Sequence, residues 1–300
     1  MPHIMYLSSF TETVLNAYKD KRPDSEVNVL LSFGTKSGDY PNMRKSPKIN
    51  SMALDSGAFT KNFANAAATE NITLDGFIAY CKWIKDRFEL IFNYDENFNL
   101  GGFETNTRNM MKIEAAGISV VPVVHDYIGQ VFNEIDFYLR KKYPIIALGS
   151  SVHKKSNRFN NIKTAVDKIV SGGSKVHLLG LTSPDILGVL PIHYSDATSW
   201  TQEGMFGNVI WWNPYKNGIN KTDRVRFLDR ENSDKIHSEH IENYPYRKYF
   251  EKYLWDELQL EILDIYGHEK NRNRQIANVH HFVKLQDIVR QMHIKNGFDV

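Results

Sequence analysis

The amino-acid sequence predicts an α/β protein, a (β/α)8 TIM barrel with a C-terminal helical extension, and three observations carry that prediction. Short β-rich runs recur at 27–33, 51–55, 89–95, 119–125, 144–149, 175–181, 191–196 and 207–212. Most are unbroken stretches of Val, Ile, Leu, Phe or Tyr, the pattern of strands buried on both faces of a parallel sheet. Segments of helical period fill the gaps, and strand–helix alternation repeated about eight times leads to a barrel. An open doubly wound sheet is the alternative that the same alternation permits.

Each element has its own local reason. In 72–87, Leu74, Phe77, Ile78, Cys81 and Ile84 fall near helical spacing, with Thr73 placed as N-cap. The segment 104–116 closes at Gly117, a good residue just past a helix end. The segments 131–142, 161–170 and 184–189 fill the next gaps, the last with Pro184 in its first turn. After Trp212 the rhythm stops. Residues 213–243 are polar and aperiodic and are expected to form an insertion loop. The segment 246–266 reads as an aromatic-rich amphipathic helix, and 278–294 as a final helix, apolar at Val279, Phe282, Leu285, Ile288 and Val289. The expected organisation is one catalytic barrel domain over 1–300, closed by the helices of 244–300.

Composition narrows the class. Hydrophobic content of 42% and charged content of 24% over 300 residues fit a globular chain and exclude a disordered, collagen-like or coiled-coil one. The longest apolar runs, such as 118–124, fall far short of the roughly 20 residues of a membrane span. Residues 1–10 lack a basic segment and an apolar core, so no secretory leader is expected and the chain reads as cytoplasmic. A single cysteine, Cys81, excludes an internal disulfide and a zinc site built from several thiolates. The net charge of +2 neither requires nor forbids a nucleic-acid partner. Lys216, Lys221, Arg224, Arg226 and Arg230 do gather in one polar stretch beside Trp211, Trp212 and Tyr215. That stretch reads either as scattered solvated charge or as a backbone-and-stacking surface.

Barrel chemistry sits at the C-terminal strand ends. There the sequence places Asp55, Asp95, His125 with Asp126, Gly149, the segment Leu178-Leu179-Gly180, and Asp196. Taken singly, each aspartate is as well explained as a helix cap or turn residue. Jointly, carboxylates facing one mouth suit glycosidic chemistry, and a separation of about 5–5.5 Å would mark a retaining course. A hydrolase acting on sugars is one reading of that layout, although Trp200, Trp211 and Trp212 are confined to the last two strand ends. A metal site from His237, Glu239 and His240 is the weakest reading, since such clusters also occur on solvated loops.

These residues resemble the tRNA-guanine transglycosylase family. The segment Leu54-Asp55-Ser56-Gly57-Ala58-Phe59 is similar to its Asp-Ser-Gly-Gly-aromatic motif, and Tyr194-Ser195-Asp196 to its nucleophile segment. Asp95, Val124-His125, Ala147-Leu148-Gly149 and Leu178-Leu179-Gly180 follow in the family's order, over roughly 27–212. The short chain and the Tyr-Ser-Asp-Ala-Thr-Ser-Trp form most resemble the deazapurine DNA modification branch, which many bacteriophage genomes carry.

The resemblance implies a function. A guanine in DNA would be exchanged for a 7-deazaguanine such as 7-cyano-7-deazaguanine through a covalent aspartyl-glycosyl intermediate. Asp196 would be the nucleophile and Asp55 the general acid and base. Asp95 would accept hydrogen bonds from the base, Phe59 and Leu179 would sandwich it, and Ser56, His125, Gly149 and Gly180 would line its pocket. Lys216, Lys221, Arg224 and Arg226 would hold the strand, whose target base must leave the stack. No cofactor and no metal is implied. The partners would be DNA and a free 7-deazaguanine base, with no membrane, in the host cytoplasm if phage-encoded. Family relatives often dimerise, which leaves a homodimer open. The alternatives are the same exchange on tRNA and a non-catalytic nucleic-acid-binding barrel. The family's zinc site needs three cysteines, which this chain lacks, so His280 is expected to serve in packing or hydrogen bonding.

Overall fold

The computed structural model describes residues 2–8, 11–35, 46–58, 61, 72–127, 129–130, 133–149, 158–228 and 238–298. Eight parallel strands form one sheet: β1 (Ile4–Ser8), β2 (Asn28–Ser32), β3 (Ser51–Asp55), β4 (Leu90–Ile91), β5 (Val123–Val124), β6 (Ile145–Leu148), β7 (Lys175–Leu178) and β8 (Tyr194–Ala197). Their order is β4-β3-β2-β1-β8-β7-β6-β5. The sheet curls until its edges meet, where Phe92 bridges Val121 in parallel. There Val121 N donates to Ile91 O at 2.8 Å and Asn93 N to Val121 O at 3.0 Å. The expected α/β barrel is the fold.

Its membership differs from expectation in one strand. The barrel takes β1, at the start of the chain, and not the run at 207–212. Tyr6 stands in register with Asn28 on one side and Asp196 on the other, so β1 joins β2 to β8. Four apolar residues, Ile4 to Leu7, carry too short a pattern to be read alone, and their pairing is a long-range fact. The run at 207–212 does form a strand, β9 (Asn208–Trp212), but in a separate three-stranded sheet. It pairs antiparallel with β10 (Thr222–Arg226), and β10 pairs in parallel with β11 (Glu239–His240). The expectation of loop throughout 213–243 is therefore corrected over Thr222–Arg226. A half-exposed strand whose one fully buried side chain is Val225 gives no apolar run to read.

The helices fall close to their expected places: α1 (Glu12–Lys21), α2 (Leu74–Ile84), α3 (Phe103–Ala115), α4 (Glu134–Arg140), α5 (Arg158–Ser171), α6 (Pro184–Leu187), α7 (Ser199–Met205), α8 (Arg247–Leu258) and α9 (Asn271–Lys295). Helices α1 and α7 were not anticipated; Thr11 caps α1, accepting from Val14 N at 3.4 Å. Thr73 does cap α2, its hydroxyl accepting from Gly76 N at 3.1 Å. Cys81 is buried in that helix, where burial pushes the thiol up to about 12. Helix α8 stops at Gln259, which takes a left-handed conformation at φ 51°, so the single helix expected over 246–266 is broken there.

Helix α9 binds the extra sheet to the barrel. Asn278 accepts from Ile210 N at 2.7 Å and donates to Trp200 O at 3.1 Å and Asn208 O at 3.2 Å. The buried Arg274 guanidinium donates to Gly204 O at 2.9 Å, Ile265 O at 2.7 Å and Gly267 O at 2.6 Å. Such buried groups are tolerated because their partners satisfy them. His280 serves in hydrogen bonding, as expected: its Nδ1 is 3.0 Å from the Tyr18 hydroxyl and its Nε2 is 3.3 Å from Glu257. Glu257 also meets Arg22 at 3.2 Å and pairs with Lys284, which ties α8 to α1 and α9. Among the described residues no helix is long and apolar enough to cross a membrane.

Strand periodicity positions the site. Ile4, Tyr6, Leu30, Ala53, Leu90, Phe92, Val121, Val123, Ala147 and Tyr194 pack together and fill the barrel lumen. Their neighbours in sequence, such as Met5, Leu7, Val29, Leu54, Val124 and Leu148, belong to the layer between sheet and helices. Because side chains alternate along a strand, the next inward step toward the C-terminal ends is fixed. From Tyr6, Leu30, Ala53, Val123, Ala147 and Tyr194 it reaches Ser8, Ser32, Asp55, His125, Gly149 and Asp196.

Candidate active site

The barrel mouth gathers three carboxylates, each held differently. Asp196 accepts three hydrogen bonds. Its Oδ1 takes Gly180 N at 3.0 Å and lies 3.1 Å from His177 Nε2, and its Oδ2 takes the Ser8 hydroxyl at 3.3 Å. Gly180 sits at φ 64°, a left-handed turn in which its N–H reaches back to that carboxylate.

Asp55 ends β3. Its Oδ2 accepts from the Ser32 hydroxyl at 3.0 Å and from Gly57 N at 2.9 Å. Burial pushes its pKa up, these two bonds pull it back, and the charges of Asp196 and Asp95 push it up again. The net direction is upward, so this carboxyl group is inclined to keep its proton.

The turn that presents Asp55 depends on Gly57, which has φ 76° and packs on Gly34; a Cβ there would lie 2.3 Å from Gly34 N. Gly57→Ala is expected to cost about 2–5 kcal/mol, from left-handed strain plus overpacking. The urea-unfolding midpoint checks this, and an unchanged midpoint would contradict the packing described.

Asp95 lies just beyond β4, after the chain turns at Asn93. Asn93 Nδ2 donates to its Oδ1 at 2.6 Å, and His125 Nε2 is 3.1 Å from its Oδ2. Burial pulls the His125 imidazole down, but the Asp95 hydrogen bond and charge, with the charge of Glu134, outweigh it, and the net shift is upward. Glu134 is buried at the start of α4 and accepts from His125 N at 2.7 Å; burial pushes it up to about 7. Gly149 leaves room for the imidazole, since a Cβ there would stand 2.9 Å from His125 Nδ1.

The structure thus brings together Asp55, Asp95, His125, Gly149, Gly180 and Asp196. Leu179, half-buried, packs against the lumen cluster. Ser56 is buried and accepts from Ala58 N at 3.4 Å, a turn contact. Phe59 lies outside the described residues. Asp126 holds the following turn, accepting from Gln130 N at 2.9 Å. Sequence reasoning missed Ser8, Ser32, His177 and Glu134. The first three were findable by counting two residues along each strand from a neighbour in the lumen. Glu134 sits ten residues past Val124 with no local mark.

The basic stretch is largely engaged within the protein. Lys216 donates to Thr222 O at 2.8 Å, Lys221 donates to Pro214 O at 3.0 Å, and Arg224 pairs with Glu203 at 2.6 Å. Arg226 lies in β10 opposite Asn208, and Arg230 lies outside the described residues. Trp211, expected beside a stacking surface, is instead buried, with its Nε1 donating to the Tyr244 hydroxyl at 2.9 Å. Tyr215 is exposed and stacks on Tyr246 and Tyr249. Of the weakest metal reading, His237 lies outside the described residues, and His240 Nδ1 accepts from Glu242 N at 3.4 Å. Among the described residues no group of three His, Cys, Asp or Glu is arranged to hold a metal.

No family model and no curated protein matches the chain. Two solved structures are similar to it over most of its length. One, described as a fructose-1,6-biphosphate aldolase from Coccidioides immitis, is 13% identical, covers 97% of this chain and 92% of its own, and has a TM-score of 0.45. The other, the YdjI aldolase from Escherichia coli K12, is 12% identical, covers 95% and 91%, and has a TM-score of 0.47. Neither is a transglycosylase. Both descriptions name aldolases and neither supports the guanine exchange expected in DNA, so that expectation is corrected and, with the tRNA alternative and the non-catalytic nucleic-acid-binding barrel, is not carried forward. The engaged lysines and the buried Trp211 run the same way.

Proposed function

We propose that this chain is an enzyme of the acid–base type that hydrolyses an acetal-type bond in a small, neutral, hydroxyl-rich molecule held at the barrel mouth. The observation that carries the reading is the contrast between Asp55 and Asp196. Asp55 has a raised pKa and both its hydrogen-bond donors on one oxygen, so Oδ1 is the oxygen suited to carry a proton. Asp196 accepts three donors, the environment of a working carboxylate. Two carboxyl groups whose surroundings differ in this way divide the roles of acid and anion between them.

In this reading Asp55 gives its proton to the leaving oxygen while Asp196 faces the carbon that gains positive charge. Water then adds to that carbon, and its proton returns to Asp55, so the enzyme ends as it began. The three carboxylates favour a neutral substrate over a phosphorylated one, because an anion brought among them meets like charge in a poorly solvated cleft.

A panel of neutral glycosides and oligosaccharides, followed by proton NMR with their phosphorylated counterparts alongside, tests the proposal. Hydrolysis of a neutral member, lost in both Asp55→Asn and Asp196→Asn, is the expected result. Turnover confined to phosphorylated members, or kept in both variants, would sink it.

A further inference from the structure

The lumen holds one polar side chain that the chemistry above leaves unassigned. His177 is fully buried in β7. Its imidazole stacks against Tyr6 at 6.1 Å and 22° and against Tyr194 at 6.1 Å and 13°, and the edge of Phe92 closes in at 4.7 Å. These rings come from β1, β8 and the end of β4, so they hold the imidazole plane from three directions. Nε2 lies 3.1 Å from Asp196 Oδ1, and Nδ1 has no hydrogen-bond partner among the described residues.

An imidazole used for packing alone would desolvate two nitrogens, and a phenyl ring would fill the slot without that cost. The arrangement makes sense if Nε2 is employed. With Nε2–H donating to the carboxylate, Nδ1 keeps only a lone pair inside the aromatic cage, which fixes the neutral Nε2–H tautomer. Oδ1 is then pinned between a caged ring and the Gly180 N–H. Oδ2 keeps only the longer contact to Ser8 and is the oxygen left to face a substrate.

We infer that His177 is the positioning residue of Asp196, a neutral Nε2–H donor that orients the carboxylate from inside the barrel; the inference rests on the acid–base reading of Asp196 given above. Two measurements on the whole protein test it. Long-range nitrogen–proton NMR of the wild type is expected to show His177 as the Nε2–H tautomer. Carboxyl-carbon NMR at fixed pH is expected to show the Asp196 resonance displaced in His177→Phe, where the Nε2–H donor is gone. An Nδ1–H tautomer, or an Asp196 carboxyl resonance unmoved in a folded His177→Phe protein, would overturn the inference. Should that variant not fold, the wild-type tautomer decides alone. Neither readout uses a substrate. A failed hydrolysis panel would therefore remove the acid–base reading while the His177–Asp196 pair stood, and an unmoved carboxyl resonance would do the reverse.

Discussion

Asp55→Asn is expected to lower turnover of a neutral hydroxyl-rich substrate by about 10²–10⁴-fold, the usual contribution of a positioned general acid. Asparagine keeps the shape and still accepts from Ser32 and Gly57, but it has no proton to give. Because the acid works protonated, wild-type activity should fall as pH rises through the raised pKa of Asp55. That falling limb should vanish from the residual activity of the variant. Stability should move the other way. Burial and two neighbouring carboxylates disfavour the charged form of Asp55, so the neutral amide should unfold at a higher temperature at neutral pH. Loss of turnover with a gain in thermal midpoint is the joint signature. A variant that loses both would point to a structural role for Asp55 instead.

Acidification should unfold the protein well above the carboxylate range. Burial lowers His3 and His281 to about 3 and His193 and His280 to about 4. Each of these is buried, whereas the unfolded chain returns them to about 6.5. For a folded pKa below the unfolded one, stability is fully present above about 6.5 and lost as pH falls toward the folded value. At pH 5 the loss is about 2 kcal/mol per group, about 8 kcal/mol for the set.

Glu134 works in the opposite sense. Its folded pKa of about 7 lies above the unfolded value, so it regains roughly 2 kcal/mol as pH falls from 7 to 5. The raised Asp55 and His125 oppose the loss in the same direction. The histidines outnumber them, and the remaining deficit of about 6 kcal/mol compares with a whole stability of roughly 5–15 kcal/mol. Urea unfolding at pH 7.5, 6 and 5 should show a midpoint falling steeply below pH 6.5. A flat response would mean that water reaches these imidazoles in the folded protein.

Of the six candidate residues that the sequence singled out and the fold brought together, the four with titratable side chains, Asp55, Asp95, His125 and Asp196, were legible for one reason. Each stands at the C-terminal end of a β-rich run, and a barrel makes the end of such a run the floor of a cleft. Phe59 was singled out only through the family resemblance, and it lies outside the described residues. The partners of these groups were not visible in that way. Ser8 and His177 act on Asp196 from 188 and 19 residues away. Glu134 earns its raised pKa from burial, which no local pattern announces.

By itself, then, the sequence determined the barrel class, the helices between the strands and the acidic strand ends, because these rest on local periodicity and on which residue follows an apolar run. Tertiary structure alone decided which runs closed the barrel. Ile4–Ser8 entered the sheet because both β2 and β8 offered it open edges, while Asn208–Trp212 left for a polar partner strand. It alone also decided how each carboxylate would behave. Protonation and aim depend on burial, on hydrogen-bond donors and on neighbouring charges drawn from distant strands, and those quantities exist only once the sheet has curled.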